Sequence, residues 1–346
     1  MKALHTIEWT SPSNIALVKY WGKFGDQLPR NPSVSFTLKH AVTNMKLELF
    51  SKDPGGVTVE FLFEGKPNSK FQDKIQKYLE KEKNLFPWLE RVHLKLSSHN
   101  TFPHSSGIAS SASSMSALCL CLLSADEWLT GHERSDSEFF KLASELSRLA
   151  SGSAGRSIYS TMASWGEFES IRGSSNHYAT EFEDLHPYFH DYCDSILIVS
   201  AKEKSVSSRA GHSLMENHPY KEARYAQAYS NMAELTQVLK KGNIPRFVEI
   251  VEEEALSLHA LMMTSRPSFI LLRPESLDLI EKIREFREQT QIPACFTIDA
   301  GPNIHLLYPA KHAAAVKAWI EKDLSVRLPE LKWIHDEVGS GPVRLQ

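Results

Sequence analysis

The chain has 346 residues, of which 42% are hydrophobic and 23% are charged, and its formal net charge is −3. This length exceeds what one ordinary core organises and predicts two domains. The charge balance speaks against nucleic acid or a membrane surface as a partner. The N-terminal stretch MKALHTIEWT lacks the apolar segment of a secretory signal, and the apolar run MSALCLCLL has about half the length that a bilayer requires. We therefore expect a cytoplasmic protein.

The cysteines predict buried free thiols. Cys119, Cys121, Cys193 and Cys295 include no C-x-x-C pair, which speaks against a zinc or redox site. Cys119 and Cys121 stand two residues apart in an apolar stretch, so they face different sides of a helix.

The first part of the chain mixes strand and helix patterns. Residues 44–50 and 57–65 have strand character, and the turn signal DPGG at 53–56 between them predicts a hairpin. Residues 70–82 combine helical spacing with heavy charge, which predicts a solvated helix, and residues 91–99 alternate like a strand.

The middle of the chain predicts two further helices and then strands. An apolar helix ends near Leu129, and a second helix covers 137–151. Residues 159–169 return to strand character. An aromatic turn over 186–192 precedes SILIVSA (195–201), which predicts a strong strand.

The last part predicts amphipathic helices over 221–243, 244–263 and 275–289, the first of them ending at Gly242. The acidic run EEE at 252–254 predicts a solvated helix face. CFTIDAGPNIHLLY (295–308) predicts two strands joined by a turn.

These patterns indicate an α+β protein in which helices cover antiparallel sheet. The composition shift near residue 188 predicts an N-terminal domain over 1–188 and a C-terminal domain over 189–346.

The stretch PHSSGIASSAS (103–113) stands at the start of the apolar helix. Unpaired N–H groups and the helix dipole make such a start an anion site. Gly107 allows close backbone approach, and small side chains leave room for phosphates. Serine hydroxyls add donors to phosphate or a ligand for Mg²⁺. A serine-rich turn followed by an N-cap is an equally good interpretation of this stretch alone, and it matches neither a Walker A sequence nor a nucleophile elbow.

Several motifs point to one family. PHSSGIASSAS resembles the phosphate loop of the superfamily of galactokinase, homoserine kinase, mevalonate kinase and phosphomevalonate kinase (GHMP), with Ile108 in place of the usual Leu. Further segments resemble the diphosphomevalonate decarboxylase family: SPSNIALVKYWGK (11–23), RNPSVSFTL (30–38), SRLASGSAGRSIY (147–159) and FTIDAGPNIHLLY (296–308). The resemblance runs from about residue 8 to at least residue 308.

The resemblance implies a fold and a reaction. The expected fold is the two-domain GHMP kinase fold, with an N-terminal domain like ribosomal protein S5 domain 2 and a C-terminal ferredoxin-like sandwich. The expected reaction uses ATP and Mg²⁺ to phosphorylate mevalonate 5-diphosphate on its tertiary hydroxyl. Phosphate and CO₂ then leave, giving isopentenyl diphosphate. A homodimer is also implied.

The resemblance also implies catalytic roles. Asp299 would accept the proton of the tertiary hydroxyl or orient it, and Lys19 would pair with Asp299 and stabilise charge on the transferring phosphoryl. Arg156 would hold the substrate carboxylate through its planar fork. Taken without the resemblance, these residues fit an Asx turn, a snorkelling lysine and a surface arginine.

Binding roles follow for a larger set of residues. If the strand continued, Tyr20 would face away from Lys19, so the chain must bend there for both assignments to hold. Ser208 fits an ST turn and Lys74 a solvated helix charge equally well. The expected substrate-binding residues are Tyr20, Lys23, Lys74, Ser151, Ser153, Ser208 and Arg209. The expected nucleotide-binding residues are Asn100, Ser106, Gly107, Ala109, Ser110 and Ser111, with Ser110 also a ligand of Mg²⁺.

Two positions depart from the family pattern. Gly155 stands where a cysteine is common, and RAGH (209–212) stands where many members have Thr-x-Gly-Met. Three alternatives stay open: a decarboxylase that prefers mevalonate 5-phosphate, a kinase that phosphorylates a mevalonate derivative and stops, and a non-catalytic nucleotide-binding module.

Overall fold

The computed structural model describes residues 2–103, 108–201 and 208–346, with the backbone alone for residues 208 and 209. The strands are β1 (His5–Val18), β2 (Lys23–Phe24), β3 (Leu28–Pro29), β4 (Ser33–Ser51), β5 (Thr58–Phe63), β6 (Lys66–Pro67), β7 (Val92–Asn100), β8 (Met162–Trp165), β9 (Ala179–Glu181), β10 (Tyr192–Ile198), β11 (Cys295–Thr297), β12 (Ile304–Pro309), β13 (Lys332–Glu337) and β14 (Val343–Arg344).

The helices lie largely where their periodicity predicts them. The α-helices are α1 (Ser69–Glu82), α2 (Ser110–Thr130), α3 (Asp136–Ala150), α4 (Ser208–Leu214), α5 (Lys221–Lys241), α6 (Ile244–Thr264), α7 (Pro274–Thr290), α8 (Ala313–Trp319) and α9 (Ser325–Arg327). Short 3₁₀ segments cover Pro87–Glu90, Gly152–Ile158, Pro187–Phe189 and Ala310–His312, and a π-turn covers Ile320–Leu324.

The large sheet has the strand order β14-β1-β4-β7-β5-β6, and β8 pairs with β4 and β9 beside it. Apolar side chains of β1, β4 and β7 form one cluster with α1, α2 and α3. The middle of α2 is buried on every side, as expected for a helix without a polar face. The buried middle of α2 therefore fixes the position of the helix start at Ser110.

The predicted hairpin between 44–50 and 57–65 is wrong, although both segments are strands. β7 lies between them: it pairs antiparallel with β4 and parallel with β5. A parallel pair requires a crossover connection, and α1 provides part of it. The DPGG motif predicts only that the chain turns there. Which strand pairs with β4 depends on which one buries its apolar face beside it, and that strand is β7. The strand expected over 159–169 is also shorter, since only β8 is extended.

The smaller sheet has the order β11-β12-β10-β13, and its strands pair antiparallel. β11 and β12 are the two predicted strands around Gly301, so this prediction is confirmed. Side chains of this sheet pack with α7 and α8 in a second apolar cluster.

A third apolar cluster joins the two halves of the chain. It includes Leu17 and Phe36 from the large sheet together with Tyr192, Met232 and Phe247 from the later half. Burial of this cluster holds β1 against α5 and α6. The end of β1 therefore lies at the junction of both halves.

A buried carboxylate ties the two sheets at another point. Asp336 on β13 accepts hydrogen bonds from the backbone N–H groups of Lys39, His40 and Ala41 at 3.0, 2.8 and 2.7 Å. These residues lie in the middle of β4, so β13 and β4 are joined by charge-assisted hydrogen bonds.

The cysteines and the apolar helices can be compared with the sequence predictions. All four cysteines are free and buried, as predicted. Within the described ranges, no helix combines the length and the apolar character needed to cross a membrane.

We predict that Asp336→Ala lowers the free energy of unfolding by about 2–4 kcal/mol, because it leaves three backbone N–H groups without their acceptor. Urea denaturation measures this loss. Glu337→Ala is the matched control, since Glu337 makes an exposed ion pair with Lys39, and it should cost less than about 0.5 kcal/mol. Equal losses in the two variants would contradict the role of Asp336.

Candidate active site

Lys19 and Asp299 meet at the junction of the two halves. Lys19 directly follows the end of β1, and Asp299 lies in the turn between β11 and β12. The Lys19 Nζ atom is 2.7 Å from Asp299 Oδ1. The Lys19 side chain is 2% exposed, whereas that of Asp299 is 27% exposed. The carboxylate is therefore the member of the pair that a ligand can reach.

The ion pair controls the charge of both groups. Burial alone would raise the pKa of Asp299, but the Lys19 ammonium outweighs it and holds this pKa below its ordinary value. Burial lowers the pKa of Lys19, and the carboxylates of Asp299 and Glu254 oppose that shift. Asp299 is therefore ionised at neutral pH.

The backbone around Asp299 is held by three contacts. His259 Nε2 on α6 lies 3.1 Å from the Asp299 carbonyl oxygen, and Gly301 N–H donates to the same oxygen at 2.6 Å. Thr297, at the end of β11, donates to the Ala16 carbonyl on β1. Burial lowers the pKa of His259 to about 4, so the neutral ring can donate its Nε2 proton to the carbonyl.

Arg156 lies in the 3₁₀ segment after α3 and is buried, so the surface-arginine alternative is wrong. Its Nε donates to Ser35 Oγ at 3.0 Å and to Asn14 Oδ1 at 3.3 Å, and its Nη1 donates to Ser33 Oγ at 2.6 Å. Burial lowers the pKa of Arg156 to about 10, which leaves it charged at neutral pH. Its charge acts on Asp299 and on Lys19.

Asn14 on β1 connects these elements, and the sequence analysis did not single it out. Its Nδ2 donates to the Ser153 carbonyl at 3.2 Å and to Ser157 Oγ at 2.8 Å, while its Oδ1 accepts from Arg156. The available signal was an amide directly before the apolar run of a strand, in a motif already matched to the family.

β1 ends before Lys19, so the alternation of a strand does not force Tyr20 to face away from Lys19. β1 ends at Val18, and Tyr20 packs its ring 4.7 Å from that of Trp165 and 4.3 Å from that of His212. Within the described ranges, the buried Tyr20 hydroxyl makes no hydrogen bond. Gly152 permits this position, since a Cβ there would lie 3.0 Å from the Tyr20 oxygen.

The start of α2 is tied to the same region. Ser13 Oγ donates to the Ile108 carbonyl at 3.0 Å, and Ser111 Oγ lies 3.5 Å from Ser151 Oγ. Ala109 has φ 33°, a left-handed conformation that is strained for a residue with a side chain and that recurs at ligand sites. Ser110 begins the helix. The start of α2 thus lies next to the segment that carries Arg156.

Two of the expected substrate-binding lysines, Lys23 and Lys74, lie on β2 and on α1. Lys23 Nζ donates to Gln27 Oε1 at 2.6 Å in the small β2–β3 ribbon. Lys74 lies on α1, with Nζ 5.5 Å from the centroid of the Phe71 ring.

Asn100 ends β7 and is held by its neighbours. Its Oδ1 accepts from Thr43 Oγ1 at 2.8 Å, and its backbone N–H donates to Glu64 at 3.0 Å. Its buried Nδ2 has no partner among the described residues. Ser106 and Gly107 lie outside the described residues, as do the side chains of Ser208 and Arg209.

Two family models match the chain in sequence order. The diphosphomevalonate decarboxylase-like N-terminal domain matches residues 11–177, and the mevalonate 5-diphosphate decarboxylase C-terminal domain matches residues 195–341. The chain belongs to the diphosphomevalonate decarboxylase family.

Relatives agree with this family over nearly the whole chain. The diphosphomevalonate decarboxylase of Candida albicans is 29% identical over 88% of this chain and 84% of its own length. The crystal structure of mevalonate diphosphate decarboxylase from Staphylococcus aureus is 29% identical, has a TM-score of 0.83 and matches 99% of this chain and 98% of that one. The structure of MDDEF in complex with MVAPP, AMPPCP and magnesium is 27% identical, with a TM-score of 0.82 and 99% of each chain covered. The predicted two-domain α+β GHMP kinase fold is confirmed.

The two departures from the diphosphomevalonate decarboxylase pattern have structural counterparts. At Gly155 a Cβ would lie 2.9 Å from the Ser144 carbonyl oxygen, so a cysteine there would require the backbone to move. His212 Nδ1 accepts the backbone N–H of Gly22 at 3.0 Å, and its ring centroid lies 4.5 Å from that of Trp21, with the two rings tilted by 37°. His212 thereby packs against the segment that follows Lys19.

The prediction that EEE (252–254) forms a solvated face is wrong for two of its residues. Glu253 is exposed, but Glu252 and Glu254 are buried. Glu254 lies one helical turn from Val251 and from Leu258, on the apolar face of α6. Helical spacing was the signal that could have revealed it.

We predict that His259 makes stability depend on pH. Its pKa falls from 6.5 to about 4 on folding, so its contribution is present above pH 6.5 and is lost as the pH falls towards 4. The slope from this one group is at most about 1.4 kcal/mol per pH unit. Urea denaturation at pH 7, 6, 5 and 4 should show a smaller loss in His259→Gln, whose amide can still donate to the Asp299 carbonyl. Parallel curves for both proteins would contradict this role.

Proposed function

We propose that the protein converts mevalonate 5-diphosphate and ATP to isopentenyl diphosphate, ADP, phosphate and CO₂, a step of the mevalonate pathway of isoprenoid biosynthesis. The observation that carries the proposal is the Lys19–Asp299 ion pair at the junction of the two halves, where the charge of Arg156 also acts. The complex of MDDEF with MVAPP, AMPPCP and magnesium supports ATP and Mg²⁺ as cofactors.

Asp299 would act on the tertiary hydroxyl. Its carboxylate is ionised and partly exposed, so it can accept a hydrogen bond from the alcohol and orient the oxygen towards the phosphoryl group. A carboxylate with a lowered pKa is a weak base, which favours orientation before transfer and proton uptake as the new P–O bond forms. Lys19 would offset negative charge on the transferring group.

Arg156 would hold the substrate carboxylate beside the reacting carbon. A guanidinium has five N–H donors, and the described partners of Arg156 take Nε and one donor of Nη1. The outer edge formed by Nη1 and Nη2 therefore keeps donors for a carboxylate. The serine and asparagine contacts fix the plane of the guanidinium, so the carboxylate is oriented for loss of CO₂.

The start of α2 fits the nucleotide phosphates. Ser110 and Ser111 place two hydroxyls at the first turn of a long helix, next to its backbone N–H groups. Among the described residues there is no group of three or more His, Cys, Asp or Glu side chains that could hold a metal, so Ser110 and phosphate oxygens would hold Mg²⁺. When bound, Mg²⁺ offsets charge on the phosphates.

Further assignments belong to the same proposal. The diphosphate end of the substrate would meet Tyr20, whose buried hydroxyl is unpaired among the described residues, together with the basic residues Lys23, Lys74 and Arg209. Ser208 would hydrogen-bond the substrate carboxylate or hydroxyl, and Ser151 and Ser153 would line the substrate site. Asn100, Ser106, Gly107 and Ala109 would complete the nucleotide site. The domain boundary near 188 is supported by the gap between the matched ranges 11–177 and 195–341. The cytoplasmic location stays a prediction from the sequence, and the homodimer stays a prediction from the family resemblance.

The deciding experiment is a coupled measurement of ADP and CO₂ with mevalonate 5-diphosphate and, separately, with mevalonate 5-phosphate. Equal amounts of ADP and CO₂ with the diphosphate would support the proposal. Faster turnover of mevalonate 5-phosphate would show that the monophosphate, and not the diphosphate, is the preferred substrate. ADP release with a stable 3-phosphorylated product and no CO₂ would indicate a kinase, and no ADP with any mevalonate derivative would indicate a binding module.

We predict that Asp299→Asn lowers kcat by roughly 10²–10⁴-fold, because the neutral amide cannot accept the proton. Equilibrium dialysis should show ATP binding nearly unchanged, since the helix start that binds phosphate is intact. Asp126→Asn is the control, because Asp126 is a buried aspartate near the end of α2 that pairs with Arg134 at 2.6 Å, and it should keep its turnover. Wild-type turnover in Asp299→Asn would remove this residue from the chemistry.

A further inference from the structure

A second buried ion pair holds the backbone of Lys19. The Lys19 N–H donates to Glu254 Oε2 at 2.8 Å, and the Lys19 carbonyl accepts from Arg224 Nη2 at 3.2 Å and from Asn31 Nδ2 at 3.0 Å. Both polar groups of the residue that follows β1 are thus held by side chains from distant elements.

The pair itself joins α5 to α6 with two parallel hydrogen bonds. Arg224 Nη1 is 2.7 Å from Glu254 Oε1, and Arg224 Nη2 is 2.5 Å from Glu254 Oε2. Asn231 donates to Glu254 Oε1 at 2.8 Å. Glu254 is 0% exposed. A pair this deeply buried contributes little net stability, because desolvation offsets the attraction. Its contacts with Lys19 point to a different purpose.

Charges from several elements face Lys19. Asp299, Glu254 and Arg156 act on its ammonium, and Lys19 in turn acts on His259 and Asp194. Glu254 is the carboxylate that both bonds the Lys19 backbone and favours its protonated side chain. Glu254 therefore acts on both the backbone position of Lys19 and the charge of its side chain.

We propose that Arg224 and Glu254 are positioning residues that fix the backbone of Lys19 so that its ammonium is aimed at Asp299. This inference rests on the proposed function, in which Lys19 stabilises the transferring phosphoryl group. Neither residue needs to touch the substrate: Glu254 acts through the Lys19 N–H and Arg224 through the Lys19 carbonyl.

The test compares Glu254→Gln with the control Glu252→Gln. Glu252 lies two residues away on α6 and pairs with Arg287 on α7 at 2.6 Å. Glu254→Gln should lower kcat roughly 10–100-fold with little change in KM, because a small displacement of an aligned group is costly to the chemical step. The alkaline limb of the kcat profile should move to lower pH by about 0.5–1 unit, since Lys19 loses a favourable charge. Glu252→Gln should keep both values.

A double variant covers the case in which Glu254→Gln folds poorly with an unpaired Arg224. Glu254→Gln combined with Arg224→Met removes both charges and should raise the thermal midpoint above that of the single variant. Positioning requires turnover to stay low, because the Lys19 N–H loses its carboxylate acceptor and the Lys19 carbonyl loses its Arg224 donor. Recovery of turnover together with stability, or a single variant with wild-type kcat and an unmoved limb, would overturn the proposal.

A second readout separates this inference from the proposed function. NMR titration of ¹³C-lysine-labelled protein, with Lys19 assigned through Lys19→Arg, reports the Lys19 side chain without substrate. A lower Lys19 pKa in Glu254→Gln than in the wild type supports positioning even where the wild type releases no CO₂. An unchanged titration overturns it even where the wild type is active.

Discussion

The structure depends on the burial of one ammonium group. Lys19 is almost wholly removed from water, and an isolated charge in such a place would be strongly unfavourable. Asp299 supplies the direct counter-charge, and Glu254 supplies another from α6. The cost of burial is thereby offset only when three distant parts of the chain come together. The candidate site is therefore complete only in the folded tertiary structure.

That constraint explains why the site lies at the junction of the two halves. The apolar cluster shared by the large sheet and the later helices holds β1 against α5 and α6. Asp336 ties β13 to the middle of β4 by backbone hydrogen bonds. With both contacts in place, the turn that carries Asp299 has little freedom relative to the end of β1. A rigid junction suits a reaction that depends on alignment.

Small side chains give the charged groups their room. Serine and asparagine on β1 and β4 hold the Arg156 guanidinium without filling the space beside it. Gly152 lets the Tyr20 ring lie against the backbone of the 3₁₀ segment that carries Arg156, and Gly155 lets this segment approach α3. The serine-rich motifs are therefore as important for what they leave open as for the hydrogen bonds they make.

The sequence by itself determined the class of fold, most helices, the strands around Gly301 and the family, because helical periodicity, turn chemistry and motif order are properties of short segments. It also selected Lys19, Asp299 and Arg156 through those motifs. Only the tertiary structure decided that β7 separates β4 from β5, and that Glu254 is buried against Arg224. Strand order and the partner of a buried charge depend on packing between segments that are far apart in the sequence. Short-range patterns such as periodicity and turn motifs do not specify that packing.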